Sequence, residues 1–284
     1  MLNLALSTIA QWTQGRLLGG DVEVQSVAID SRTLKPGALF VALRGEHHDG
    51  HDFVEAAQRN GAAAALVERP LATDLPQVVV ADGERALGAL AAGVRARSAA
   101  CVVGITGSNG KTTVKTLLAG ILSRHAPTHF SSGSFNNEIG LPLTVLSVPP
   151  DTRFVVLEMG AGKPGDIAYL AQIAKPRIGL VNNIAPAHLE RMGSIEMIAQ
   201  TKGALYSALP ADGVAVINAD DVFAGCFSEL AQGRRVLRFG LDAPADVSAR
   251  FDASSNPGAF TLVSYAGTIP KTCERFHSNH HSIL

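Results

Sequence analysis

The sequence predicts an α/β protein in two parts: a small α/β unit first, then a larger unit whose mostly parallel sheet is flanked by helices. Three observations predict it. Short apolar runs alternate with segments of helical periodicity along most of the 284 residues. From Cys101 onward the runs are apolar at nearly every position, as in parallel strands covered on both faces. Between one such run and a helical segment lies "GITGSNGKTT", residues 104–113, the strand–turn–helix setting of a phosphate-binding loop.

Taken in order, residues 1–82 read as the small unit. "VEVQSVAID" and "KPGALFVAL" are expected strands, "DFVEAAQRNGAAAALVE" an expected helix and "PQVVVAD" a further strand. The alanine-rich "GERALGALAAGVRARSAA", 83–98 at its core, is expected to be a connecting helix. Residues 99–268 hold the parallel strands "CVVGIT", "FVVLEMG", "PRIGLVNNI", "GVAVINA" and "RVLRF", with "AFTLVSYAG" the last strand-like piece. After it, 269–284 loses apolar content and periodicity and reads as an atypical, unstructured or foreign tail.

Composition bounds the function. With 46% hydrophobic residues, 5% aromatic and a net charge of -1, nothing electrostatic calls for nucleic acid or a membrane surface. Apolar stretches such as "GAAAALV" fall far short of the roughly 20 residues that cross a bilayer, so no membrane insertion is expected. The first residues lack a basic leader and a small-residue cleavage site. Cys101, Cys226 and Cys273 have no metal-ligand spacing and are odd in number, which points to a reducing cytoplasm. A monomer is the expected state.

The loop departs from the common pattern, which has glycine where Ile105 stands. Gly107 and Gly110 can still take positive φ, so that successive N–H groups of Ser108, Asn109 and their neighbours point into one concavity at a helix start. Lys111 would reach the terminal phosphates of a nucleotide, and Thr112, beside Thr113, would offer its hydroxyl to Mg²⁺. A plain glycine turn between strand and helix is the bland alternative. Mg²⁺ takes oxygen ligands, so a carboxylate at a neighbouring strand end is its expected partner. Glu158, ending "FVVLE", fits; a buried glutamate paired with an arginine is the other reading.

"TGSNGKTT" resembles the ATP-binding signature of the Mur ligase family, whose loop is a variant of the usual one. "DSRTLKPGALFVALRGEHHDGHDF", 30–53, resembles the family's uridine-nucleotide-binding first domain. "FNNEIGLPLTVL", "LEMGAGKPGDI" and "NNIAPAHLERMGS" resemble the branch that adds the terminal dipeptide of the peptidoglycan stem. The resemblance implies a uridine-nucleotide-binding domain (1–82), a connecting helix and a P-loop ATPase domain (99–268), with the family's third domain missing. It implies an ATP-dependent ligase joining D-alanyl-D-alanine to UDP-N-acetylmuramoyl-tripeptide through an acyl phosphate.

Residue roles follow from the same resemblance. Glu158 and His188 would meet magnesium near the γ-phosphate, His188 from a loop at the carboxyl end of the sheet. Lys202, in "AQTKGALYSAL", would be carbamylated and hold a second magnesium; Ala204 stands where a glutamate is usual, and a solvated helix lysine is the ordinary reading. Asn137 would approach phosphate or substrate, while Asn136 could cap the following turn. Asn218 matches the adenine-facing asparagine, or is a turn residue. Ser31 and Arg32 are the candidates for the uridine diphosphate portion, Arg by its fork. His47, His48 and His51 read as first-domain loop. Two other functions stay open: a remnant that holds ATP or the UDP-sugar without turnover, and an ordinary P-loop kinase or ATPase, against which the first-domain match speaks.

Overall fold

The computed structural model describes residues 2–131, 133, 135–186, 189–252, 259–264 and 267–272. The chain starts as β1 (Leu4–Ala5), α1 (Leu6–Thr13), β2 (Arg16–Leu18), β3 (Glu23–Val24), β4 (Ser26–Ala28) and β5 (Ala38–Val41). A 3₁₀ turn (Gly50–Phe53), α2 (Val54–Arg59), β6 (Ala64–Val67) and β7 (Gln77–Val79) complete the first unit. Its five-stranded sheet has the order β2-β7-β6-β5-β4, parallel except for β2.

The expected helix across 52–68 is only half right. It ends at Arg59, and Gly61, at φ +96°, turns the chain so that "AALV" enters the sheet between β5 and β7. Alanine favours helix, but these four residues are wholly buried in a central strand, and burial outweighs propensity.

α3 (Gly83–Ala96) links the two units, its first turn capped by the Asp82 carboxylate, which accepts from the Arg85 N–H at 2.9 Å. Leu87 and Leu90 on its inner face join one core with Leu39, Leu66 and Val78 of the first sheet and Val102, Val155 and Leu157 of the second. The other end is tied down by Arg95, which donates to the carbonyls of Ala174, Ser98 and Ala100.

The second unit runs β8 (Cys101–Thr106), α4 (Lys111–Leu122), β9 (Thr128–Phe130), α5 (Gly140–Leu146), β10 (Phe154–Glu158), α6 (Asp166–Ala174) and β11 (Ile178–Val181). It continues with α7 (Leu189–Met192), α8 (Ile195–Ser207), β12 (Val214–Asn218), α9 (Ala224–Leu230), β13 (Arg235–Phe239), β14 (Val247–Asp252), β15 (Ala259–Ser264) and β16 (Gly267–Thr272). Among the described residues these strands form one nine-stranded sheet, β16-β15-β14-β13-β12-β11-β8-β10-β9. It is parallel from β9 to β14 and antiparallel beyond. This is the α/β architecture the apolar runs predicted.

Three features differ from expectation. β9 and β14 carried too few apolar residues to stand out. β16 occupies part of the stretch read as a structureless tail, since its backbone pairs with β15; residues 273–284 lie outside the described part. On α4 the helical spacing of Val114, Leu117, Leu118, Ile121 and Leu122 predicts one apolar face, but the set divides: Val114, Leu118 and Leu122 pack against the sheet, whereas Leu117 and Ile121 are 63% and 58% exposed. The inward positions beside that stripe belong instead to Ala119 and to a lysine, Lys115. Among the described residues no helix is long and apolar enough to cross a membrane.

After β10 the chain passes from one side of β8 to the other to form β11. Such a switch point opens a crevice at the carboxyl ends of the strands. The C-termini of β8, β10 and β11 bring Thr106, Glu158 and the Asn182–Asn183 pair there.

Candidate functional site

Residues 107–110 link β8 to α4, and their shape is fixed from the neighbouring strand. Ser108 donates its hydroxyl to the Ala185 carbonyl and accepts from the Ala185 N–H, both at 2.9 Å. The Asn183 side chain accepts from the Asn109 N–H at 2.9 Å, and Asn182 donates to the Asn109 carbonyl at 2.8 Å. Gly107 sits at φ +151° against Asn182, and Gly110 at φ +76° is the residue before the helix. A Cβ at Gly107 would come within 3.0 Å of the Asn182 side chain. Glycine is required here both by backbone angle and by space.

Lys111 opens α4 and folds back over the loop, donating to the carbonyls of Gly107 at 2.9 Å and Ser108 at 3.2 Å. Burial lowers its pKa, and nearby Glu158 partly opposes that. Thr112 donates its hydroxyl to Glu158 Oε2 at 2.8 Å, and Asn136 donates to Oε1 at 2.7 Å. Glu158 is 2% exposed, with Lys115 Nζ 3.7 Å from Oε2. The glutamate is therefore buried and paired, but with a lysine rather than the arginine of the alternative reading. A buried carboxylate beside a hydroxyl at the mouth of a phosphate-type loop is an oxygen set suited to Mg²⁺, which keeps several waters and uses few protein ligands. Thr113 is exposed on the first turn of α4.

A polar cavity of about 390 Å³ opens beside this group. Ser108 and Lys111 form one wall, Asn136 and Asn137 a second, and Lys202 of α8 reaches it from behind. Lys202 is 3% exposed, and its pKa falls to about 8, first through burial and then through the charge of Lys111. The ordinary reading, a solvated helix lysine, is incompatible with that placement. Lys163 and Arg191 also line the cavity, and neither was singled out from the sequence.

Both asparagines line the cavity, and each also makes a contact of its own. Asn137 caps the start of α5, its side chain accepting from the Gly140 N–H at 2.8 Å, while Asn136 holds Glu158. Asn218 ends β12, donates to the Asn182 carbonyl at 3.1 Å and accepts from the Asp220 N–H at 3.1 Å, so it buttresses the strand end that carries the loop's clamp. It does not line the cavity, nor do Ser31 and Arg32. His188 lies outside the described residues.

In the first unit Ser31 is buried, and its carbonyl accepts from Asn60 at 2.7 Å. Arg32 is exposed and already forked on Asp30, at 2.9 and 2.8 Å, which holds the Asp30 carboxyl down to about 2. His51 serves the loop, as expected: its Nε2 accepts from the Glu68 N–H at 2.8 Å, so Nδ1 carries the proton it donates to Asp49. Lys115, Asn182 and Asn183 were missed, as was the contact of Asn136 with Glu158. For Asn182 and Asn183 a signal existed, paired asparagines directly after a buried strand; for Lys115 the position, one turn after Lys111 on the same helix face, was the only one.

Comparison with known proteins accords with this geometry. The Mur ligase middle domain profile matches residues 105–276, and that of the Mur ligase family, catalytic domain, matches 23–105. The chain is 42% identical over 271 residues to the UDP-N-acetylmuramoyl-tripeptide--D-alanyl-D-alanine ligase of Escherichia coli (strain K12), covering 95% of this chain and 60% of that protein. To the Haemophilus influenzae ligase of the same name it is 37% identical, with 96% and 60% covered. A crystal structure of MurF from Acinetobacter baumannii superposes with a TM-score of 0.88 at 34% identity, over 95% of this chain and 60% of that one. MurF from Thermotoga maritima in complex with ADP gives 0.79 at 31%, over 88% and 58%. The chain thus spans about 60% of the length of these relatives. With two adjoining profiles and a phosphate-type loop carried on the expected strand, the chain belongs to the Mur ligase family.

Proposed function

We propose that this chain carries the nucleotide-binding and UDP-substrate-binding parts of an ATP-dependent amide ligase that joins D-alanyl-D-alanine to UDP-N-acetylmuramoyl-tripeptide. The observation that carries the reading is one polar cavity lined by Lys111 and a buried Lys202, with the Thr112–Glu158 pair held beside it by Asn136, which also lines it. The names of the relatives support the choice of substrates, and the ADP-bound neighbour supports the choice of nucleotide. In this reading residues 1–82 hold the uridine nucleotide, with Ser31 and Arg32 at its diphosphate; Arg32 would first have to leave Asp30. Residues 83–98 connect, and 99–268 hold ATP, with Asn218 toward the adenine.

A carboxylate does not condense with an amine in water until one of its oxygens becomes a leaving group. ATP supplies this: an oxygen of the tripeptide's terminal carboxylate attacks the γ-phosphorus, the bond to ADP breaks, and an acyl phosphate forms. The D-alanyl-D-alanine amine then attacks the acyl carbon, phosphate departs and the nitrogen loses a proton. The loop N–H groups and Lys111, released from the Gly107 and Ser108 carbonyls, would take the phosphoryl oxygens as charge develops. Thr112, Glu158 and His188 would hold one Mg²⁺ and a carbamylated Lys202 a second; the ions would supply charge neutralisation. Carbamylation itself joins CO₂ to the neutral Lys202 amine with loss of a proton, and the lowered pKa favours the neutral form. Exclusion of water from the site would limit hydrolysis of the acyl phosphate.

The second reading is a chain that binds ATP or the UDP-sugar without turnover. Phosphate release measured with ATP, UDP-N-acetylmuramoyl-tripeptide and D-alanyl-D-alanine separates the two. Release that requires both acceptors supports the ligase; nucleotide binding with no dipeptide-dependent release supports the second reading.

A further inference from the structure

Lys115 and Glu158 form a nearly waterless ion pair, each 2% exposed, directly behind the phosphate loop. The lysine ammonium also donates to the Gly133 carbonyl at 2.5 Å and lies 3.4 Å from the Ser131 hydroxyl, so the 131–133 segment and the end of β10 both meet on it. Neither of the roles proposed above uses this charge. Burying two opposite charges is costly, and the pair persists only because its members compensate each other.

Lys115 Nζ is 3.7 Å from Glu158 Oε2, the oxygen that also takes the Thr112 hydroxyl. A divalent cation at that oxygen would stand within a few ångströms of a buried ammonium, with Lys111 one helical turn away. For a bare cation this repulsion is felt in full. For a cation arriving on a nucleotide, the phosphate charges offset it. We infer that Lys115 is a built-in counter-charge that keeps Glu158 from taking a free divalent cation, so that metal enters the site with the nucleotide. This rests on the proposed reading of Thr112 and Glu158 as the cation-holding pair. Lys115 is a positioning residue here: it acts through Glu158, and through Ser131 and Gly133 on the segment that brings Asn136 to the same carboxylate.

The test is a titration of the full chain with Mn²⁺, read by the electron paramagnetic resonance of the free ion, with and without ADP. In the unmodified chain ADP is expected to raise Mn²⁺ affinity by roughly a hundredfold or more, as a charge-compensated site requires. Lys115→Gln removes the charge but keeps a donor for the Gly133 carbonyl; it is expected to bind Mn²⁺ alone roughly tenfold or more tightly than the unmodified chain. Lys115→Arg, which keeps the charge, is expected to restore the original discrimination. Equal free-Mn²⁺ affinity in the unmodified chain and Lys115→Gln overturns the inference. So does an unmodified chain that binds Mn²⁺ equally with and without ADP, a result that needs no variant to fold. Failure of every chain to bind Mn²⁺ even with ADP overturns the cation-site reading itself, and the inference with it.

Discussion

Lys202 provides the most quantitative prediction. Its amine is 3% exposed at the wall of the cavity, and its pKa lies near 8 instead of 10.5, because burial and the charge of Lys111 both disfavour the ammonium. At about pH 7.5 roughly a quarter of such amines are uncharged, against about one in a thousand for an ordinary lysine. The unfolded chain holds this proton more tightly than the folded one, so between about pH 8 and 10.5 the unfolded state binds more protons and stability rises with pH. Below the folded value both states are protonated, and the full penalty of about 3 kcal/mol is present. Urea denaturation at about pH 7 and 9.5 is expected to show a gain of about 2 kcal/mol that Lys202→Met lacks. Competitive acetylation across the same range reads the amine directly, and ¹³C-labelled bicarbonate should give a carbamate resonance that disappears in Lys202→Met. If Lys202 acetylates with the profile of a surface lysine, the inference from its burial is refuted, and its carbamylation loses its physical support.

The phosphate loop yields further outcomes. Lys111→Ala should weaken ADP binding by about a hundredfold, roughly 2.7 kcal/mol, in isothermal calorimetry; unaltered affinity would remove the basis for placing phosphate there. Gly107→Ala forces a side chain into φ +151° and to within 3.0 Å of Asn182, and should cost about 1–3 kcal/mol in urea denaturation together with nucleotide affinity. The two asparagines should separate: Asn136→Ala strips a donor from buried Glu158 and should cost about 1–3 kcal/mol and metal-nucleotide affinity, whereas Asn137→Ala loses only a helix cap, about 1 kcal/mol, with affinity retained. Equal effects on nucleotide affinity would contradict their assignment.

The parts of this fold legible in the sequence were those with a local cause. Buried parallel strands show as unbroken apolar runs, and the loop shows because glycines and a lysine must fall at fixed offsets between strand and helix. Where tertiary packing decides, the sequence misleads: "AALV" at 64–67 has helical propensity and becomes a central strand because Gly61 ends the helix and two strands enclose it. The same holds for α4, whose inward face includes a buried lysine while Leu117 and Ile121 stay exposed. In the site, Glu158 could be named from its place at a strand end, whereas Lys202 was named only through the family resemblance, since a lysine within a helical segment otherwise reads as solvated. Which of Asn136 and Asn137 faces the carboxylate depends on a turn whose rotation no spacing rule fixes, and Lys115 acquires significance only once Ser131 and Gly133 on one segment and Glu158 on another are brought to it.

The fastening of residues 108 and 109 to Asn182, Asn183 and Ala185 has a thermodynamic corollary. A glycine turn left to itself samples many shapes, and a ligand that must select one of them forfeits affinity to do so. Here that selection was completed when β8 and β11 came together, and the cost is charged to folding instead of to each encounter. A nucleotide should therefore meet a receptacle already in register, with association limited by diffusion and dehydration of its phosphates. Loosening the asparagine braces should then show first as slower capture of ligand, before any loss in how firmly the captured molecule is held.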